Sequence, residues 1–217
     1  MERGFVYEYL AGVDFPVYGD FYGSVIPMIP LGRWLMGVAV ILFITGICLS
    51  RRRQISVLEM VRFGGRKGWW NAQFRKLLLV GASACFCYGF CMKGMDLLFR
   101  LPGERGTEEL LIFLLWSVHM MTMMSIFCLS DLTAFRHLIP AALFVTEVST
   151  FTVGFYHWHL SKFMFGNWGM YVWSNRVKKD YGFSPGVVML LECVMLMAVR
   201  KIGGILLEKR DGCLYSI

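Results

Sequence analysis

Residues 55–76, ISVLEMVRFGGRKGWWNAQFRK, decide the fold because they separate two long apolar runs with a short, basic, glycine-interrupted loop. Three consecutive arginines, residues 51–53, stand directly before them. Each flanking run approaches the roughly 20 residues that a helix needs to cross a bilayer. Lys and Arg collect in the cytoplasmic loops of membrane proteins, so this stretch predicts a cytoplasmic hairpin between two membrane spans.

The composition also favours a membrane protein. Of the 217 residues, 57% are hydrophobic and the mean hydropathy is +0.56, whereas soluble domains are about 45–50% apolar. The net charge is +7, but the basic residues lie at the ends of the apolar runs, which excludes an ordinary nucleic-acid-binding surface. The seven cysteines form no CxxC pair and no Cys/His ligand spacing, so no metal site is expected.

Five apolar runs predict an all-α, polytopic transmembrane helical bundle that forms a single domain over residues 1–217. The first and last runs are short for a bilayer unless they tilt or the bilayer thins. Residues 1–33, rich in Phe, Tyr and Gly, predict an exterior segment along the membrane interface, and residues 51–76 the cytoplasmic loop. The predicted spans are residues 34–50, 77–99, 110–129, 138–156 and 185–207.

The distribution of basic residues predicts the orientation of the chain. Three of the segments between and beside the spans hold 13 Lys and Arg residues in total, and the three on the other side hold 8. The more basic set is expected to be cytoplasmic, which places the N-terminus outside and the C-terminus inside a multi-pass protein of the cell membrane. The first set comprises residues 51–76, 130–137 and 200–217, and the second comprises residues 1–33, 100–109 and 158–183.

Ionisable residues within the apolar runs are the candidates for a site. His119, Glu147 and Glu192 lie deep in the third, fourth and fifth spans. A charge at the bilayer centre costs at least about 2.5–3.5 kcal/mol, so each should face the bundle, a cavity or a partner subunit, or be protonated. A substrate path and ordinary interhelical hydrogen bonding both remain open. Lys93 and Asp96, three residues apart, share a helical face and can pair.

The stretch at residues 157–183 is too apolar for a solvated loop and too interrupted for a span. Its aromatic and Met residues predict interfacial or re-entrant elements, and Gly166 and Gly169 allow a turn. Backbone at membrane depth must be shielded by protein or water, so the segment is expected to pack on the bundle. His157 and His159 have no carboxylate or Cys at ligand spacing, which favours interface packing over a metal site.

Three motifs follow one another in the chain: RFGGRKGWWNAQFRKLLLV at residues 62–80, FGNWGMYVWSN at residues 165–175 and GGILLEKRDG at residues 203–212. In sequence and order they resemble the small permease subunits of type-2 ABC exporters from Gram-positive bacteria, of the kind encoded near bacteriocin, lantibiotic and peptide-antibiotic immunity systems. Phe165 stands where the family motif has a proline. Such permeases usually carry one further span at the start, so the resemblance implies a missing first span or a fold that works with five.

The resemblance implies a transport subunit for peptide export. A cytoplasmic coupling helix would sit in a groove of a separate ABC ATPase subunit, which binds ATP and Mg, so this chain would have no catalytic residue and no cofactor of its own. A second permease subunit, the same or different, would complete the substrate path within the membrane lipids. The implied coupling residues are Ile55, Val57, Leu58, Glu59, Val61, Arg62 and Phe63; the candidate path residues are Glu147, Glu192 and His119; the implied exterior gate is Phe165, Asn167, Trp168 and Met170.

Two other classes of protein, an enzyme and a non-transport membrane protein, are compared with the exporter by their motifs and partners. It has no G-x-x-x-x-G-K-S/T phosphate loop, no G-x-S-x-G and no H-E-x-x-H, so an enzyme is not expected. The alternative to export is a non-transport membrane protein, an immunity or scaffold subunit that binds a peptide or a partner through its spans. Association with an ATPase discriminates between the two.

Overall fold

A computed structural model describes residues 4–13, 28–53, 62–101, 106–132, 138–180 and 182–212. These residues are 84% helical and form no strand, which confirms the all-α prediction. Two 3₁₀ turns, Trp158–Phe163 and Tyr171–Trp173, flank the shortest helix. In chain order the α-helices are α1 Phe5–Leu10, α2 Met28–Arg53, α3 Arg66–Leu98, α4 Gly106–Ser130, α5 Ile139–Tyr156, α6 Phe165–Trp168 and α7 Pro185–Gly212.

Among the described residues, three helices are long and apolar enough to cross a membrane: Met28–Ser50, Arg66–Leu98 and Gly106–Ser130. The apolar part of α5, Ile139–Gly154, is shorter. The helices are therefore compatible with a membrane protein, whereas the five-span bundle and the orientation of the termini stay predictions. Large apolar side chains point outward from the bundle, as lipid contact requires; they include Phe43, Phe86, Phe90, Leu190 and Met197.

The start of α3 differs from the predicted span, residues 77–99, because the helix already begins at Arg66. Gly64 and Gly65 directly before it have φ of +68° and +123°, a left-handed region that glycine enters without steric cost. Trp69 and Trp70 are then buried in the first turns of α3. The basic sequence that hydropathy assigns to a loop is thus helical from the glycine pair onward.

The first turns of α3 pack against the last turns of α7, which also continues past its predicted end at residue 207. Trp70 Nε1 donates a hydrogen bond to the backbone oxygen of Arg200 at 2.7 Å. Gly203 lies against the same indole, since a Cβ there would be 2.2 Å from Trp70 Cζ2. Lys67 Nζ lies 2.9 Å from Glu208 Oε1. These contacts join the two helices at this end of the bundle.

The central helix is α4, which contacts α1, α2, α3, α5 and α7. Its Trp116, Met120 and Met123 are fully buried. Burial of such side chains contributes about 1.5–3 kcal/mol each relative to exposure in water, but a lipid surround lowers that gain. Close packing around α4 therefore matters more for the bundle than hydrophobicity alone.

Residues 4–13 pack into one end of the bundle, where the sequence predicted a segment along the membrane interface. Leu10, Ala11 and Val13 have no exposed surface. The backbone N–H groups of Phe5 and Val6 donate to the buried carboxylate of Asp96 on α3. A carboxylate at a helix N-terminus is favourable because it faces unpaired N–H groups and the positive end of the helix dipole.

The expected pairing of Lys93 with Asp96 is replaced by two separate contacts. Lys93 Nζ lies 2.7 Å from both Oε atoms of Glu109 on α4, and Asp96 binds the start of α1. Spacing along one helix could not predict either contact, because both partners come from other helices.

Candidate functional site

Three ionisable side chains from three helices meet at one buried point. His119 comes from α4, Glu147 from α5 and Glu192 from α7. The distance from His119 Nδ1 to Glu192 Oε1 is 2.6 Å, and the distance from His119 Nε2 to Glu147 Oε1 is 2.7 Å. Their side chains are at most 1% exposed. We call these three residues the His–Glu cluster; they are the three candidate path residues of the sequence analysis.

Counting protons defines the charge of the His–Glu cluster. Each of the two N···O contacts needs one hydrogen, whereas a neutral imidazole supplies a single N–H. Either His119 is an imidazolium between two carboxylates, or it is neutral and one of the two carboxyl groups is protonated. Both arrangements hold the same number of protons and leave the cluster with one net negative charge. The two arrangements differ only in where one proton sits along a short hydrogen bond.

The two outer carboxyl oxygens of the cluster have different surroundings. Glu147 Oε2 lies 3.4 Å from Nε1 of Trp34, a fully buried residue of α2. Glu192 Oε2 is buried and has no hydrogen-bond partner within the described part of the chain. An unsatisfied buried acceptor costs about 1–3 kcal/mol, and more when it is charged. The least favourable atom of the cluster is therefore Glu192 Oε2.

The 157–183 segment packs directly on the His–Glu cluster. The ring centroid of Phe165 lies 4.8 Å from that of His119. A Cβ at Gly169 would be 2.7 Å from His119 Cδ2, so only glycine allows the backbone this close. Gly166 N–H donates to Thr150 Oγ1 of α5 at 3.0 Å. Residues 165–169 of the segment thus lie against the cluster, and Gly166 and Asn167 within them are buried.

The other predicted gate residues make hydrogen bonds within the turns of this segment, and none of these bonds involves the His–Glu cluster. Asn167 is fully buried, and its Nδ2 donates to the backbone oxygen of Ser161 at 3.3 Å. Trp168 Nε1 donates to the backbone oxygen of Lys162 at 3.0 Å. Met170 is fully buried. Of the four, Phe165 is the residue whose ring contacts His119.

Most of the predicted coupling residues lie outside the part of the chain that the structure describes. Ile55, Val57, Leu58, Glu59 and Val61 lie outside the described residues. Arg62 and Phe63 are described and exposed, and Lys76 Nζ lies 6.0 Å from the centroid of the Phe63 ring. Docking of this loop to an ATPase therefore stays a prediction.

Two residues of the site could not be assigned to it from the sequence. Trp34 opens an apolar run, as interfacial tryptophans often do, yet its indole reaches Glu147. Gly169 was assigned only a turn, yet it sets the distance between the 157–183 segment and His119. Only the three-dimensional packing identifies either residue.

The His–Glu cluster has hydrogen-bonding rather than metal-ligating geometry. Both ring nitrogens of His119 already face carboxyl oxygens, and the described residues contain no group of three or more His, Cys, Asp or Glu side chains that could hold a metal ion. What the arrangement can do is share protons between one imidazole and two carboxyl groups and link α4, α5 and α7.

No protein-family model, curated protein or solved structure matches this chain.

Proposed function

We propose that this chain is the membrane permease subunit of an ATP-driven ABC exporter, with the His–Glu cluster in its substrate path. The observation that carries the proposal is the meeting of three ionisable side chains from three helices at a fully buried point. Ionisable groups inside membrane bundles are rare and mark substrate or ion pathways. Apolar packing could close the same space at lower cost.

The proposed route from the cytoplasmic loop to the cluster runs through α3 and α7. Residues 55–63 sit in a groove of the ATPase subunit and move when the ATPase pair closes on ATP and Mg. The contacts of Trp70 with Arg200 and Gly203, which join the start of α3 to α7, support this route. Because α7 also carries Glu192, a displacement of the loop acts on the hydrogen bond between Glu192 and His119.

The proposed outer gate is the 157–183 segment. It covers the cluster through Phe165 and Gly169 and is bonded to α5 through Gly166 and Thr150. Movement of α5 away from α4 would carry the segment with it and separate Glu147 from His119. In this scheme a second permease subunit completes the path, the N-terminus is outside the cell membrane, the C-terminus is inside, and the substrate is a peptide.

Co-purification with an ATPase tests the proposal. The tagged chain is purified from its native cells in mild detergent, and co-eluting ATP-binding-cassette protein is measured by mass spectrometry and by ATP hydrolysis. We expect the double variant Val57→Glu/Leu58→Glu to lose the ATPase, because charges on the apolar side of the coupling helix cannot enter an apolar groove.

The matched control is Ser56→Glu, which adds a charge to the same loop outside the apolar spacing. It should retain the ATPase, and circular dichroism should give the same helix content for all variants. Undiminished ATPase with the double variant, or no ATPase with the unaltered chain, refutes the permease assignment.

One observation favours the alternative, a non-transport immunity or scaffold protein. The three side chains of the cluster are at most 1% exposed, and clefts of about 230 Å³ and 490 Å³ among the described residues lie elsewhere, beside Cys48 and Leu42 respectively. In that case the cluster would be a permanent link between helices, the purified chain would bring a peptide or a protein without nucleotide-binding activity, and changes in the cluster would affect stability alone.

A further inference from the structure

We propose that the His–Glu cluster is a proton-binding site that takes up one proton at Glu192 when it closes and releases it when it opens. The hydrogen bonds of the cluster account for two protons and leave one negative charge. Within the cluster, Glu192 Oε2 is the buried oxygen that has no hydrogen-bond partner among the described residues. A third proton on that oxygen makes the cluster neutral without breaking either bond to His119.

No described positive charge faces the cluster to neutralise it in another way. α2 contributes the neutral indole N–H of Trp34, and the 157–183 segment contributes Phe165 and Gly169. Cations on neighbouring helices are engaged elsewhere: Arg33 pairs with Glu8 and Lys93 pairs with Glu109. A net charge on fully buried side chains is expensive, so the closed state favours the neutral, proton-loaded cluster.

The 157–183 segment makes proton binding depend on conformation. With Phe165 on the imidazole, the cluster is buried away from bulk solvent and the extra proton is retained. When the segment moves away, water hydrates the carboxylate, the cost of its charge falls, and the proton leaves. Closing therefore binds a proton and opening releases one. The use of this proton in export rests on the proposed function, whereas its binding does not.

Infrared difference spectroscopy on the purified full chain, in detergent and without any ATPase, tests the proposal. At neutral pH, where exposed carboxylates are ionised, the unaltered protein should show a carboxylic-acid C=O band, and this band should be absent from Glu192→Gln. The control is Glu109→Gln, which removes a carboxylate of α4 that is paired with Lys93 and lies outside the cluster. The band should persist in that control.

A second variant keeps the test decisive if Glu192→Gln does not fold. Phe165→Ala uncovers the imidazole, so exchange of the carboxyl proton in D₂O should become on the order of tenfold faster, as expected when local opening becomes easier. The proposal is overturned by the absence of this band at neutral pH, by a band that survives in Glu192→Gln, or by exchange that Phe165→Ala leaves unchanged. Because no ATPase is present, these results are independent of the co-purification experiment.

Discussion

Replacement of His119 with leucine should destabilise the bundle strongly, because it leaves two carboxyl groups buried without their common partner. The two lost hydrogen bonds measure 2.6 and 2.7 Å, and bonds that involve a charged group contribute about 1.5–3 kcal/mol each. The apolar side chain recovers part of this loss. Removal of one member of a buried ion pair costs about 3–5 kcal/mol, which is the loss of unfolding free energy that we expect.

A triple variant separates the net contribution of the whole cluster to the free energy of unfolding from the loss caused by removing only one of its members. When His119, Glu147 and Glu192 are all leucine, no ionisable group remains in the site. Replacement of a complete buried ion cluster by apolar residues is often neutral or stabilising by about 1–4 kcal/mol. The triple variant should therefore regain most of the stability that the single variant loses, while it loses proton binding altogether.

Unfolding of the purified chain in mixed detergent micelles, followed by circular dichroism as the fraction of denaturing detergent rises, measures both effects. The control is Lys93→Leu, whose pair with Glu109 is partly exposed on the lysine side and should contribute about 1 kcal/mol or less. Should His119→Leu cost no more than the control, or should the triple variant be as unstable as the single one, the cluster does not link the three helices as described.

Two further predictions concern close contacts of the backbone. Gly169→Ala should lower the free energy of unfolding by about 1–3 kcal/mol, because its Cβ would collide with the His119 ring. Gly94→Ala, at a helical position whose Cβ would meet nothing within 4 Å, should leave the free energy of unfolding unchanged or raise it by up to about 1 kcal/mol in the same detergent titration, because Ala is the better helix former. Equal stability of the two variants contradicts the contact. Asp96→Ala removes the acceptor for two backbone N–H groups and should free residues 4–13 from the bundle, with a loss of about 1–3 kcal/mol of unfolding free energy. Limited proteolysis should then cleave this segment faster than in the control Glu109→Ala. Equal cleavage rates would show that Asp96 does not hold the segment.

Hydropathy predicts the helical parts of this chain but not their ends. The apolar runs predict spans over residues 77–99 and 185–207, yet α3 already begins at Arg66 and α7 continues to Gly212. The reason is tertiary: Trp70, Arg200 and Gly203 pack the two ends against each other. A single-chain hydropathy profile contains no information on which helix ends meet.

The members of the site were predictable one at a time, because His119, Glu147 and Glu192 each interrupt an apolar run. Their meeting was not predictable, since it depends on how α4, α5 and α7 are rotated about their axes. The contact of Phe165 with His119 depends in turn on glycines that allow close approach. The sequence shows which ionisable residues are unfavourable to bury. The packing of the helices determines which partners offset the free-energy cost of burying them.

The attachment of residues 4–13 has a consequence for how the protein is made. Val172 N–H donates to the backbone oxygen of Ala11 at 3.0 Å, and Trp173 Nε1 donates to that of Val13 at 3.1 Å. Residues 4–13 therefore acquire these partners only after the roughly 160 residues that separate the two segments have been synthesised. Contacts so distant in sequence form late, so residues 4–13 dock only after residue 173 has been made, and a nascent chain released before that residue lacks both hydrogen bonds.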